Sequence, residues 1–248
     1  MQIAVCQFNP TVGALSQNAI RLLTYAHEAA ALGAEFMLTP ELALCGYPPK
    51  DLVLRPDFLD ACALQLISLA KAAPIPMIVG APVDGFNAAC WCYQGQIRVI
   101  ARKRLLPNYQ VFDERRYFKP GPADDFNGFE FAGKRFGMSI CEDAWNDEQF
   151  WKHRLYEEDP IWDLAKSHQV DVLVNLTASP FEMNKAAERE SMFRHLAMRY
   201  ELPTLVVGQV GANDGLIFDG GTVGFDADGE ILYKATDFKE ELIICKLS

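Results

Sequence analysis

No apolar run in the 248-residue sequence approaches the ~20 residues a membrane-crossing helix requires, so no span is expected. A basic excess is also missing: 23 Lys and Arg stand against 33 Asp and Glu, for a formal net charge of −10. Nucleic-acid partners need a basic footprint, which excludes that class. The 7 cysteines and 4 histidines contain no CxxC or HxxxH pair, so no metal site is expected. Neither Asp214-Gly215 nor Asp219-Gly220-Gly221 builds a GxxxxGK[ST] phosphate loop, and no GxSxG serine elbow occurs. Residues 1–8 have no basic n-region or small-residue cleavage site, unlike a secretory signal. Cys6, Cys45, Cys62, Cys90, Cys92, Cys141 and Cys245 are odd in number and mostly sit in apolar runs. That pattern suits reduced thiols in a cytoplasmic protein better than a disulfide framework.

What is present is a large supply of core. Half the residues are hydrophobic, and no repeat, low-complexity tract or internal linker divides them, so residues 1–248 read as one domain. Residues 2–8 form an apolar strand, and 16–32 place Leu22, Ala26, Ala29 and Ala30 at helical spacing before a Gly33 stop. Strands follow at 35–39 and 77–80, separated by a Gly- and Pro-rich segment (44–52) and a helix opened by Pro56. Residues 87–94 and 96–105 read as a hairpin around Gln94-Gly95. A long polar and aromatic loop, 107–122, leads to strands near 129–133 and 135–140. A Trp-rich charged segment (143–162) runs into a helix ending around Ser167, followed by a strand at 171–176, a helix at 185–200 and a strand at 203–208. Short strands with turns complete the chain, and the order of elements implies a mixed sheet covered by other layers.

Three strands end on a reactive side chain: Thr39-Pro40-Glu41, Ala101-Arg102-Lys103 and Ile140-Cys141. Taken singly, Cys141 is as readily a buried inert thiol, and Glu41 or Lys103 a solvated loop charge. Together and in this order, Glu, Lys and Cys resemble the catalytic set of the nitrilase (carbon-nitrogen hydrolase) superfamily. Longer stretches narrow the likeness to glutaminase domains of glutamine-dependent NAD synthetases. They are Pro40-Glu41-Leu42 through Gly46-Tyr47-Pro48 with Asp51-Leu52, the run Leu106 to Phe118, Cys141-Glu142-Asp143-Ala144-Trp145, and Asn175 to Phe181.

The resemblance implies an α/β fold, the four-layer α-β-β-α sandwich, and a hydrolase acting on a linear amide. In it Cys141 would be the nucleophile and Glu41 the general base. Lys103 would stabilise the oxyanion with the backbone N–H of Glu142, and Glu114 would orient or supplement the three. Tyr47, Tyr109, Glu142, Ser179 and Lys185 match positions that surround a glutamine substrate. It further implies ammonia delivery to an NAD synthetase domain, with ATP and Mg serving only that domain, which nothing here matches. No cofactor is expected in this chain, and a homo-oligomer is. Activity is expected to stay low until the synthetase domain docks, with 106–118 as the gating loop. Two other readings stand beside this one: a free-standing amidase for another small amide, and a non-catalytic scaffold of the same fold. An intact Glu41, Lys103 and Cys141 set speaks against the scaffold.

Overall fold

The structure is a computed structural model that describes residues 1–247. The first half of the chain runs β1 (Gln2–Gln7), α1 (Leu15–Ala31), β2 (Phe36–Leu38), α2 (Pro56–Ala72), β3 (Met77–Val83), β4 (Phe86–Tyr93) and β5 (Gln96–Arg102). The second half begins β6 (Gly128–Phe131), β7 (Lys134–Ile140), α3 (Pro160–Trp162), β8 (Val172–Thr177), α4 (Lys185–Tyr200) and β9 (Thr204–Gly208). It ends with β10 (Val210–Asn213), β11 (Leu216–Asp219), β12 (Val223–Phe225), β13 (Ile231–Lys234) and β14 (Glu241–Lys246).

One sheet has the order β14-β1-β2-β3-β4-β5 and the other β13-β12-β9-β8-β7-β6. Both are mixed: β1, β2 and β3 are mutually parallel in the first, and β7, β8 and β9 in the second. The period-two alternation of strands sorts their side chains into three apolar layers. Ile3, Val5, Phe36 and Leu38 meet Phe136, Met138, Val172 and Val174 between the sheets. Ala4, Cys6 and Met37 point the other way, onto Leu22 and Ala26 of α1 and Leu66 and Leu69 of α2. Leu173 and Val206 face outward from the second sheet onto Met192, Phe193 and Leu196 of α4. The result is the expected α-β-β-α sandwich, with strands apolar on both faces because both faces are covered.

Several boundaries shift by one to three residues from the sequence reading, β3 for example running on to Val83, and two differences bear on the site. The strand expected to reach residue 105 stops at Arg102, because the Asp143 carboxylate replaces a neighbouring strand as acceptor for the N–H groups of Arg104 and Leu105 (3.0 and 2.8 Å). The helix expected to end near Ser167 is a single turn, α3, continued by a wider turn over Asp163–Ser167.

Candidate active site

The site lies where strand ends of the two sheets converge. Glu41 follows β2 through Thr39-Pro40, and its turn crosses directly over Gly80 of β3. A Cβ on Gly80 would stand 2.2 Å from the Pro40 carbonyl oxygen and 2.5 Å from the Leu42 nitrogen, so only glycine admits this turn. Lys103 follows β5, and Cys141 follows β7. Cys141 has φ +47, in the left-handed region that a non-glycine residue enters at a penalty of about 1–2 kcal/mol. A turn over Cys141–Ala144 then carries the chain away, as at a nucleophile elbow.

Asp143 joins these ends. Besides Arg104 and Leu105 it accepts the N–H of Ile140 at 3.0 Å, so one carboxylate ties the residues after Lys103 to the residue before Cys141. Burial raises its pKa to about 6, with the N–H groups of Leu105, Ile140 and Arg104 acting against that rise.

Lys103 is the centre of a buried ion cluster. Its Nζ donates to Glu41 Oε1 and to Glu114 Oε1, both at 2.7 Å, and its side chain has no exposed surface. Asn87 of β4 donates to Glu41 Oε1 at 2.7 Å, and the backbone N–H of Ala178 to Glu41 Oε2 at 2.9 Å. Tyr47 donates its hydroxyl to Glu114 Oε1 at 2.8 Å. Burial alone would lower Lys103, but Glu114 and Glu41 hold the ammonium well above its ordinary range. On Glu114 burial acts in the opposite sense: it pushes the carboxyl up to about 7, with Lys103 pulling it down and Glu41 pushing it further up. Burial also raises the Cys141 thiol, and Glu41 adds to that; Lys103 and the Thr177 side chain offset part of it. The Cys141 sulfur is therefore favoured as a thiol and not as a preformed thiolate.

Cys141 opens onto a cavity of about 500 Å³ whose walls include Tyr109, Glu142, Trp145, Ser179 and Lys185. Glu142 is buried, and its carboxylate accepts from Tyr109 (2.9 and 3.0 Å) and from Tyr156 (3.0 Å). Burial raises Glu142, while Lys103, the two tyrosines and Lys185 lower it. Ser179 is also buried, and its hydroxyl has no partner. Lys185 at the start of α4 packs its ammonium over Trp145 and Phe112 and reaches Glu182 at 3.3 Å. Four of the five residues expected around a substrate thus share one cavity with Cys141. Tyr47 does not: it lies behind Glu114, against Phe218, and lines a separate cavity of about 230 Å³. Its carbonyl is held by Gln209 and Asn213 (3.2 and 3.1 Å), so its place is that of a support for Glu114.

Sequence reasoning missed Asn87, Asp143 and Tyr156. Asn87 had a signal, a lone amide opening the apolar run Asn87-Ala88-Ala89-Cys90, and Asp143 stood two residues after the thiol. Tyr156, in an irregular segment, had none.

A strained cysteine beside a buried, doubly paired ammonium, on a four-layer sandwich, defines a class of hydrolase that can open an amide through a thioester. Residues 2–248 match the carbon-nitrogen hydrolase family model, and the chain belongs to that family. It is 43% identical to a glutamine-dependent NAD(+) synthetase of Synechocystis, over 98% of this chain and 45% of the relative. A corresponding synthetase of Thermotoga maritima is 33% identical, over 100% of this chain and 42% of the relative. Among solved structures, the glutamine-dependent NAD+ synthetase of Acinetobacter baumannii superposes with a TM-score of 0.88 at 33% identity, covering 98% of this chain and 44% of that one. An amidase of Nesterenkonia AN1 from the nitrilase superfamily shares the fold, with a TM-score of 0.82 at 20% identity, over 100% and 90% of the two chains. The chain therefore spans less than half the length of the synthetases it resembles.

Proposed function

We propose that the chain is a glutamine amidohydrolase domain that releases ammonia for an NAD synthetase domain of the kind found in its longer relatives. One observation carries the glutamine reading: the cavity at Cys141 presents a carboxylate, Glu142, and an ammonium, Lys185. A substrate with an amide at one end and both an ammonium and a carboxylate at the other would satisfy each of these groups. Amides with an uncharged far end would leave Glu142 buried without a cation.

In this reading Glu41 takes the Cys141 proton as sulfur attacks the amide carbon. The carbonyl oxygen becomes an oxyanion, stabilised by Lys103 and the Glu142 N–H. Collapse expels ammonia, which leaves with the proton from Glu41, and a glutamyl thioester remains. Water, deprotonated by Glu41, attacks that thioester; the proton returns to sulfur and glutamate departs. Glu114, its carboxyl raised by burial, shares Lys103 and keeps its ammonium in place. Any ATP and Mg would act in the synthetase domain. The test is glutamine turnover by this chain, alone and with a separately expressed synthetase module supplied with ATP and dinucleotide. Turnover that rises with the module is expected. Failure on glutamine with ready hydrolysis of uncharged amides would favour a small-amide hydrolase.

A further inference from the structure

Tyr156 belongs to the stretch between the turn at Cys141 and α3, which has almost no regular structure, yet its backbone is tightly fixed. The buried Asn146 side chain accepts from the N–H groups of Leu155 and Tyr156 (3.1 and 3.3 Å) and donates to the carbonyls of Tyr156 (2.9 Å) and Glu158. The adjoining Asp147, also buried, accepts from Gln149 and Phe150 (2.9 and 3.0 Å) and is paired with Arg199 of α4. The segment is thereby stapled at both ends, and the Tyr156 hydroxyl arrives 3.0 Å from Glu142 Oε1.

We infer that Tyr156 determines specificity by holding Glu142, together with Tyr109, as the receptor for a substrate ammonium group; this rests on the glutamine reading above. The geometry supports it in two ways. Two phenols converge on Oε1, while Oε2 takes only the longer bond from Tyr109, so Oε2 keeps acceptor capacity for an incoming N–H. A carboxylate held by one phenol alone could rotate about its last torsion, whereas donors from two separate segments, 109 and 156, fix its plane. Tyr156 is absent from the cavity lining that includes Glu142, so it acts through Glu142 as a positioning residue.

The test compares two ligands differing only in that ammonium: L-glutamine, and 4-carbamoylbutanoate, which is glutamine without its α-amino group. Cys141→Ala protein, which should bind without turning over, is titrated by NMR with each ligand, with and without Tyr156→Phe. Loss of a hydrogen bond to a charged group should weaken glutamine about 10-fold and 4-carbamoylbutanoate by less than about 2-fold. Equal weakening of both ligands would mark Tyr156 as merely structural and overturn the inference. Unchanged glutamine affinity would overturn it too, leaving the glutamine reading intact. No glutamine binding by Cys141→Ala protein, with 4-carbamoylbutanoate still bound, would overturn both.

Discussion

Glu41, Lys103 and Glu114 on one side of Cys141 are buried and cross-paired by Asn87, Tyr47 and the Ala178 N–H, whereas Ser179, Lys185 and Tyr109 on the other line an open cavity. The first group comes from strand ends and one loop braced between the sheets; the second comes from loops and the first turn of a helix. The difference suits the roles proposed for the two sides. A base and a cation that meet charge as it develops are effective only if they need no reorganisation at that moment. Groups that receive a substrate must exchange water for it and so keep unpaired capacity, and the Ser179 hydroxyl has that capacity.

Substitutions on the buried side should therefore abolish chemistry, and those on the open side should weaken binding. The largest effect is expected for Cys141→Ala: amide hydrolysis should fall by several orders of magnitude with circular dichroism unchanged. A glutamine-like electrophile should form its adduct on Cys141, as read by mass spectrometry of peptides. An adduct on Cys45 instead would remove Cys141 from the centre of the comparison.

Next come Glu41→Gln and Lys103→Met. Each should lower single-turnover acylation by about 10²–10³-fold while glutamine binding changes little. Lys103→Met should also destabilise the fold, by roughly 3–5 kcal/mol, because it leaves two buried carboxylates facing one another. Wild-type acylation in either variant would break the distinction between the two sides.

For Glu114 a further, smaller effect is expected on stability, and it should depend on pH. Its pKa in the folded protein is raised from 4.5 to about 7, so the stability it contributes is fully present below pH 4.5 and is lost as pH rises through about 7. Denaturant titrations at pH 5 and pH 8 should show Glu114→Gln at a larger disadvantage to wild type at the lower pH. A difference independent of pH would mean that Glu114 titrates as an ordinary carboxylate.

The smallest effect falls on the open side. Lys185→Ala should raise KM for glutamine by roughly 10-fold or less, with kcat nearly unchanged, since a partly solvated charge contributes on the order of 1 kcal/mol. A collapse of kcat would place Lys185 with the buried machinery and blur the contrast.

Much of the buried side was legible because it is local. Glu41, Lys103 and Cys141 each follow an apolar strand, and a strand end is visible as a change of residue character within a few positions. The supports were not legible, because their partners lie far away in the chain. The Glu41 carboxylate is met by an N–H 137 residues later, and the Lys103 and Cys141 segments are joined by an Asp143 bond spanning 39 residues. Tyr47 shows the same limit from the other direction: its neighbourhood resembled a substrate pocket, and folding turned its hydroxyl to Glu114.

By itself the sequence determined a mixed sheet covered on both faces and the strand ends that bear Glu41, Lys103 and Cys141, since alternation and local punctuation are properties of neighbouring residues; the four layers and the family followed from the likeness of its longer motifs. The tertiary structure alone decided that Asp143 couples two sheet ends, that Tyr156 reaches Glu142, and that Glu114 sits near neutral pH. Those depend on burial and on charges brought together from distant segments, and no local pattern encodes either.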